Sequence, residues 1–153
     1  MAQLGGALEA AHIKDLVADL ESWPTTAESF DQAHRKLCRK IREHLQVGTR
    51  QQAHYGRIAK LVAIYFKVTV VLAGFHDSQF AKLMHPPIDS ILLGRIASDA
   101  DLPVPVRDAV RHVCWTKLSE NAYYELINHL RSVVVPGQPF WTLERYWKAA
   151  LAL

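Results

Sequence analysis

Cysteine, glycine and proline are all scarce in this chain, with two, seven and seven of them in 153 residues. Cys38 and Cys114 stand alone and far apart, which excludes a disulfide framework and a CxxC metal or redox pair. Both lie among apolar neighbours, where burial is expected to raise a thiol's pKa and leave it inert. The glycines form neither a phosphate-cradling loop nor a GxSxG elbow, so nucleotide binding and serine-nucleophile chemistry lose their usual signatures. No basic segment followed by an apolar one opens the chain, so a secretory signal is not expected. Together with the low cysteine count this points to a cytoplasmic protein. The longest apolar stretch, residues 61–75, contains Lys67. It falls short of the ~20 residues a membrane span needs, so it reads as a buried core helix and no membrane partner is expected.

Acidic residues are missing from one region in particular. Over residues 34–67 nine lysines and arginines stand against Glu43 alone, a net of +8. The whole chain carries +3, so the remainder holds −5. Charge separated in this way speaks to partners and orientation, not to fold.

What is present is helical periodicity. Leu8, His12, Ile13, Leu16, Val17 and Leu20 recur at intervals that make one apolar stripe, and Pro24 ends it near Trp23. Thr25 and Glu28 have the spacing of a capping box, opening a second helix with Phe30, Leu37, Cys38, Ile41 and Leu45 inward and Gly48 as its stop. A third helix is expected over about 50–73, ended by Gly74. Its second half is apolar almost all round, as befits the middle of a bundle. The β-branched run 68–71 also suits a strand, but no turn residue separates it from the helix before it. Shorter helices follow over 77–84, 88–97, 106–113 and 120–131, the last capped by Ser119. A turn at 135–139 leads to a final helix over 141–151. The expectation is a single all-α domain over 1–153, a compact bundle around a central buried helix.

The cationic cluster is the most informative feature. At about 100° per residue, Arg35, Arg39 and Arg42 fall within about 60° of one another, and Lys36 and Lys40 extend the same outward arc. Arg50, His54, Arg57 and Lys60 share a face of the third helix. The basic face Arg35, Lys36, Arg39, Lys40, Arg42, Arg50, Arg57 and Lys60 suits nucleic acid or an acidic protein, since cations on one surface displace the counterions of a polyanion. The alternative is an ordinary solvated helix face. Tyr55 is the one aromatic interleaved with these charges, a thin basis for stacking single-stranded bases.

Arg107-Asp108-Ala109-Val110-Arg111-His112 resembles the Arg-x4-His element of HEPN-domain ribonucleases. The resemblance implies a dimeric RNA-cleaving protein in which Arg107 steadies phosphate charge and His112 moves a proton. The same spacing recurs at Arg39 and His44, in mid-helix. Blocks at 56–67, 85–93 and 115–118 are similar to blocks in small helical proteins, a likeness that carries no activity with it.

Glu9 with His12, and Asp31 with His34, each place a carboxylate and an imidazole three residues apart. Carboxylate-bridged bundles need further acids on facing helices, and residues 50–74 offer none, so neither metal nor cofactor is expected. Lys67, mid-helix, needs a counter-charge or a route to water; Asp89 and Glu125 are the candidate partners. Trp115, Trp141, Tyr146 and Trp147 form either a self-pairing surface or core bulk. The leading expectation is a non-catalytic binding module; the alternatives are a HEPN-like ribonuclease and a structural homo-oligomer such as a homodimer.

Overall fold

The computed structural model describes residues 12–46 and 53–148, together with Gly6, Leu8 and Glu9. Among the described residues every regular element is helical, in agreement with the all-α expectation. Gly48, Arg50 and residues 149–151 of the expected final helix lie outside them.

Helix α1 spans Ile13–Ala18. It follows a break in the expected first stripe at His12, whose φ of 52° is left-handed. Helix α2 spans Ala27–Gln46. Its cap is set one residue later than the Thr25–Glu28 spacing suggests: the Ser29 amide donates to Thr26 Oγ1 at 3.3 Å. Helix α3 spans Tyr55–Phe66 and runs on as a wider π-helix over Lys67–Phe75. The widening begins where the Thr69 hydroxyl donates to the Tyr65 carbonyl at 2.7 Å, occupying an acceptor of the α-ladder. Gly74, at φ 98°, makes the left-handed exit that glycine alone adopts without strain. The β-branched run is therefore helix, not strand.

The remaining helices are short and mostly capped as their sequences dictate. Helix α4, Gln79–Leu83, starts from Ser78 rather than Asp77, the serine Oγ accepting from the Ala81 amide at 3.1 Å. Asp89 caps α5, Ser90–Ser98, accepting from the Leu92 amide at 2.9 Å. Helix α6 is Val104–Arg111 and α7 is Glu120–Arg131, capped by Ser119. A 3-10 turn at Phe140–Glu144 leads into α8, Arg145–Lys148.

The core gathers apolar stripes from α2, α3, α5 and α7. Phe30, Phe66 and Phe80 close around Trp23, with ring centroids 5.2, 5.5 and 4.7 Å from it. The expected all-round burial of the third helix does not hold. Ile58, Ala59, Val62, Phe66 and Val70 are buried, while Ile64, Val68, Leu72 and Phe75 on the opposite side are 43%, 54%, 69% and 56% exposed. The helix packs the bundle with one face, and its apolar second face points to solvent. Counted with its π extension, Tyr55–Phe75 is 21 residues and contains an 18-residue window of mean hydropathy 1.9. By length and composition alone that would reach across a membrane, more than the 61–75 stretch suggests.

The three sequence blocks at 56–67, 85–93 and 115–118 meet in space. Lys60 Nζ lies 3.2 Å from Asp89 Oδ2 and 4.5 Å from the centroid of the Trp115 ring. Gly56 abuts the Trp115 carbonyl so closely that a Cβ would sit 2.1 Å from its oxygen. Their shared role is to clamp α3 against the start of α5 and the Trp115–Lys117 turn.

Candidate functional site

Helix α2 presents Arg42, Arg35, Arg39, Lys36 and Lys40 along one outward arc, as the 3.6-residue period requires, but the structure divides them by task. Glu120, the first residue of α7, accepts from Arg35 Nη1 at 3.0 Å, from Arg39 Nε at 2.8 Å and from Arg39 Nη2 at 2.5 Å. The Arg35 guanidinium also lies 4.0 Å over the Tyr124 ring, a cation–π placement. The Arg39 hydrogen bond, and then that of Arg35, hold the Glu120 carboxyl below its ordinary range against the opposing effect of burial. These two arginines tie α2 to the start of α7, where a carboxylate is also favoured by the helix dipole.

Lys36, Lys40, Arg42 and Arg57 make no ion pair among the described residues. Lys36 and Lys40 are exposed and stand one turn apart on the rim of a groove of about 280 Å³, with His12, Trp23, Pro24, Ala33 and Leu37 on its walls. Arg42 borders a shallow depression with His54, Tyr55 and Lys117. Exposed Arg57 lines a neighbouring one with Leu45 and Leu61, and Ala53 touches both. Lys60 is taken up by Asp89. Tyr55 is buried, its hydroxyl 2.8 Å from that of Tyr124, so it offers no face to a base.

Lys67 pairs with neither Asp89 nor Glu125. It meets Glu144, buried on the Phe140–Glu144 turn, and its amine lies 4.9 Å from the centroid of the Trp147 ring. Asp89 is occupied otherwise, by Lys60 and by Trp147 Nε1 at 3.2 Å. The aromatic C-terminal third is thus partly buried and packed on the core, with Trp115 and Trp147 serving as platforms for lysines.

Arg107 lies inside α6 and His112 just past its end. Arg107 stands in the second turn of α6, half-buried, with its Nε enclosed and unbonded; His112 is the exposed residue after the last turn. Five residues apart on a helix, they project about 140° from one another. The twin spacing places Arg39 on Glu120 and leaves His44 exposed.

Sequence reasoning missed a buried polar network on the inner side of α2. His34 Nδ1 lies 2.9 Å from the Tyr124 hydroxyl. His85 Nδ1 lies 3.1 Å from the Tyr123 hydroxyl and its Nε2 lies 2.8 Å from Asp31 Oδ1. Arg131 closes on Asp31 with two bonds, Nη1 to Oδ2 at 2.8 Å and Nη2 to Oδ1 at 2.5 Å. Burial drives both imidazoles to lower pKa, and in His85 it outweighs the opposing bond from Asp31. Burial works against the Asp31 carboxylate, but the bonds from Arg131 and His85 prevail and hold it well below the usual carboxylate range. The signal was available: His34 falls on the stripe of Phe30, Leu37, Cys38 and Ile41. The Asp31–His34 pair therefore serves the core, and among the described residues no group of three or more His, Cys, Asp or Glu side chains is arranged to hold a metal. His12 turns its ring to Asp15 at 3.1 Å.

The two cysteines differ. Cys38 is buried and its thiol is pushed up to about 12 by desolvation. Cys114, expected among apolar neighbours, is instead exposed in the loop after α6, where a hydrogen bond to Thr116 lowers its thiol pKa. No protein-family model, curated protein or solved structure matches the chain.

Proposed function

We propose that this chain is a non-catalytic binding module that takes a polyanion, nucleic acid, on the outer face of α2. The observation that carries the reading is three cations on the outward arc of α2 with no ion pair among the described residues: Lys36 and Lys40 at one edge, on the groove beside His12 and Trp23, and Arg42 at the other edge, beside His54 and Lys117. Glu43 is the one acid within residues 34–67. Arg57, near Leu45 at the far end of the same helix, extends the positive surface. Such a face attracts phosphates through counterion release and reads no sequence. With Tyr55 buried, duplex rather than unstacked single strand is the form that suits it. A cytoplasmic setting is part of the same proposal.

The test is fluorescence anisotropy with a labelled 16-base-pair DNA duplex across a salt series. The wild-type chain binds with log K falling steeply against log salt. A Lys36→Ala/Lys40→Ala/Arg42→Ala variant loses affinity and flattens the slope by about 1 for each phosphate contact removed. Arg35 and Arg39 are left in place because they anchor α7. Unchanged binding in the triple variant would refute the reading.

A further inference from the structure

We propose that the outward face of Tyr55–Phe75 is a dimer seam that takes a second copy of this chain, antiparallel to the first. Ile64, Val68 and Leu72 recur at intervals of four, Phe75 follows just past the left-handed Gly74, and each is at least 43% exposed. Leu61, half-buried, continues the row toward the helix start. Large apolar side chains scattered singly over a surface need no explanation, but a row of three followed by Phe75 does. Residues about one turn apart lie along one side of the helix, where another helix can cover them. The charges of this helix do not interrupt it. Lys60 and Lys67 are turned aside to Asp89 and Glu144.

The charges at the two ends choose the occupant. Arg57 lies at the start of the same face, exposed and without an ion pair among the described residues. Asp77, two residues beyond Phe75, has a 93% exposed side chain whose one ion pair among the described residues is to neighbouring His76 at 3.3 Å. It is the first acidic residue in the chain after Glu43. Two copies crossing near Lys67 and Val68 in opposite directions bring Arg57 of each against the partner's Asp77, twice, by the self-complementarity of a twofold axis. A parallel pair would set like charges together. An anionic bilayer would meet Asp77 at the end of the row, whereas interfacial helices carry cations beside the apolar face. Inserting the helix across a bilayer would strip Val62, Phe66 and Val70 from the core. One helix seam covers less than the ~1,600 Å² of a standard interface, which places the pair among reversible, concentration-dependent associations.

The test is the mass of the full chain by sedimentation and light scattering from 1 to 300 μM. The wild type rises from 17.3 kDa to twice that value. Val68→Glu/Leu72→Glu, both at exposed positions, stays monomeric with its helical circular dichroism intact. Arg57→Asp weakens the dimer at least tenfold, and Arg57→Asp/Asp77→Arg restores it. A wild-type monomer at 300 μM overturns the proposal, as does a dimer indifferent to Leu72→Glu or a charge swap that fails to restore pairing. Flotation of the wild type with phosphatidylglycerol vesicles, without dimer, overturns it in favour of a membrane. The readout is mass, so the outcome is independent of polyanion binding.

Discussion

The imidazole rings of His34 and His85 lie with their centroids 4.4 Å apart in the core, each nearly closed to solvent. One comes from the inner side of α2 and the other from the loop ahead of α5. A proton placed on either ring would bring a charge beside the other ring and beside Arg131, which bonds Asp31 across the same space. The pair is therefore held neutral, with Tyr124 and Tyr123 as hydrogen-bond partners. This polar knot joins α2, the loop ahead of α5 and α7.

Acid should loosen it. Both histidines titrate near 6.5 when the chain is unfolded, and both are lower in the fold. Below pH ~6.5 the unfolded chain thus binds more protons than the folded one, and stability falls as pH falls, with a limiting slope of about 2.7 kcal/mol per unit for two groups. Asp31 acts in the same direction at lower pH: its folded pKa is depressed, so its contribution is complete above ~4 and lost below. Urea unfolding should show a lower midpoint at pH 5.5 than at pH 7.5, and His34→Gln should roughly halve the slope. Equal midpoints would contradict the burial of a neutral pair.

Two glycine substitutions should have opposite signs. At Gly56 an added Cβ would meet the Trp115 carbonyl at 2.1 Å, and backbone cannot yield as a side chain tip does. Gly56→Ala should cost about 3 kcal/mol or more. Gly94 lies inside α5 with open space around it, so Gly94→Ala should stabilise by about 0.5–1 kcal/mol. Thermal unfolding of the two variants checks both.

The fold could be read from periodicity because most helices announce themselves by stripe and cap together. Ser119 and the run from Glu120 to Arg131 agree at every level, and Gly74 ends its helix because the left-handed exit demands glycine. The third helix misled because an apolar surround reads the same whether it is covered by this chain or by something else. Ion-pair partners were out of reach for a different reason. Glu120 meets Arg39 across 81 positions and Asp31 meets Arg131 across 100, distances over which local pattern carries no information. Lys67 illustrates the consequence: its partner Glu144 sits on a 3-10 turn that periodicity does not reveal. The α2 arc itself was legible, but the division between Arg35 and Arg39 as anchors and Lys36, Lys40 and Arg42 as cations with no ion pair among the described residues was not.

Thiol labelling should separate the cysteines. In the native chain one equivalent of a thiol reagent should react quickly, at exposed Cys114, whose thiol is lowered by its bond to Thr116. The second, at Cys38, should react only in denaturant, since burial keeps it protonated. Two fast equivalents would mean that the α2 core face is open.

The most direct test of the working surface is the acid that now masks part of it. Glu120→Gln removes the charge shared by Arg35 and Arg39, at a cost in stability of about 1 kcal/mol. Anisotropy titration of the labelled duplex against salt should then show tighter binding than wild type, with the slope of log K steeper by about 2 as the two arginines become available to phosphate. Affinity and slope unchanged or reduced in Glu120→Gln would contradict a polyanion site on α2.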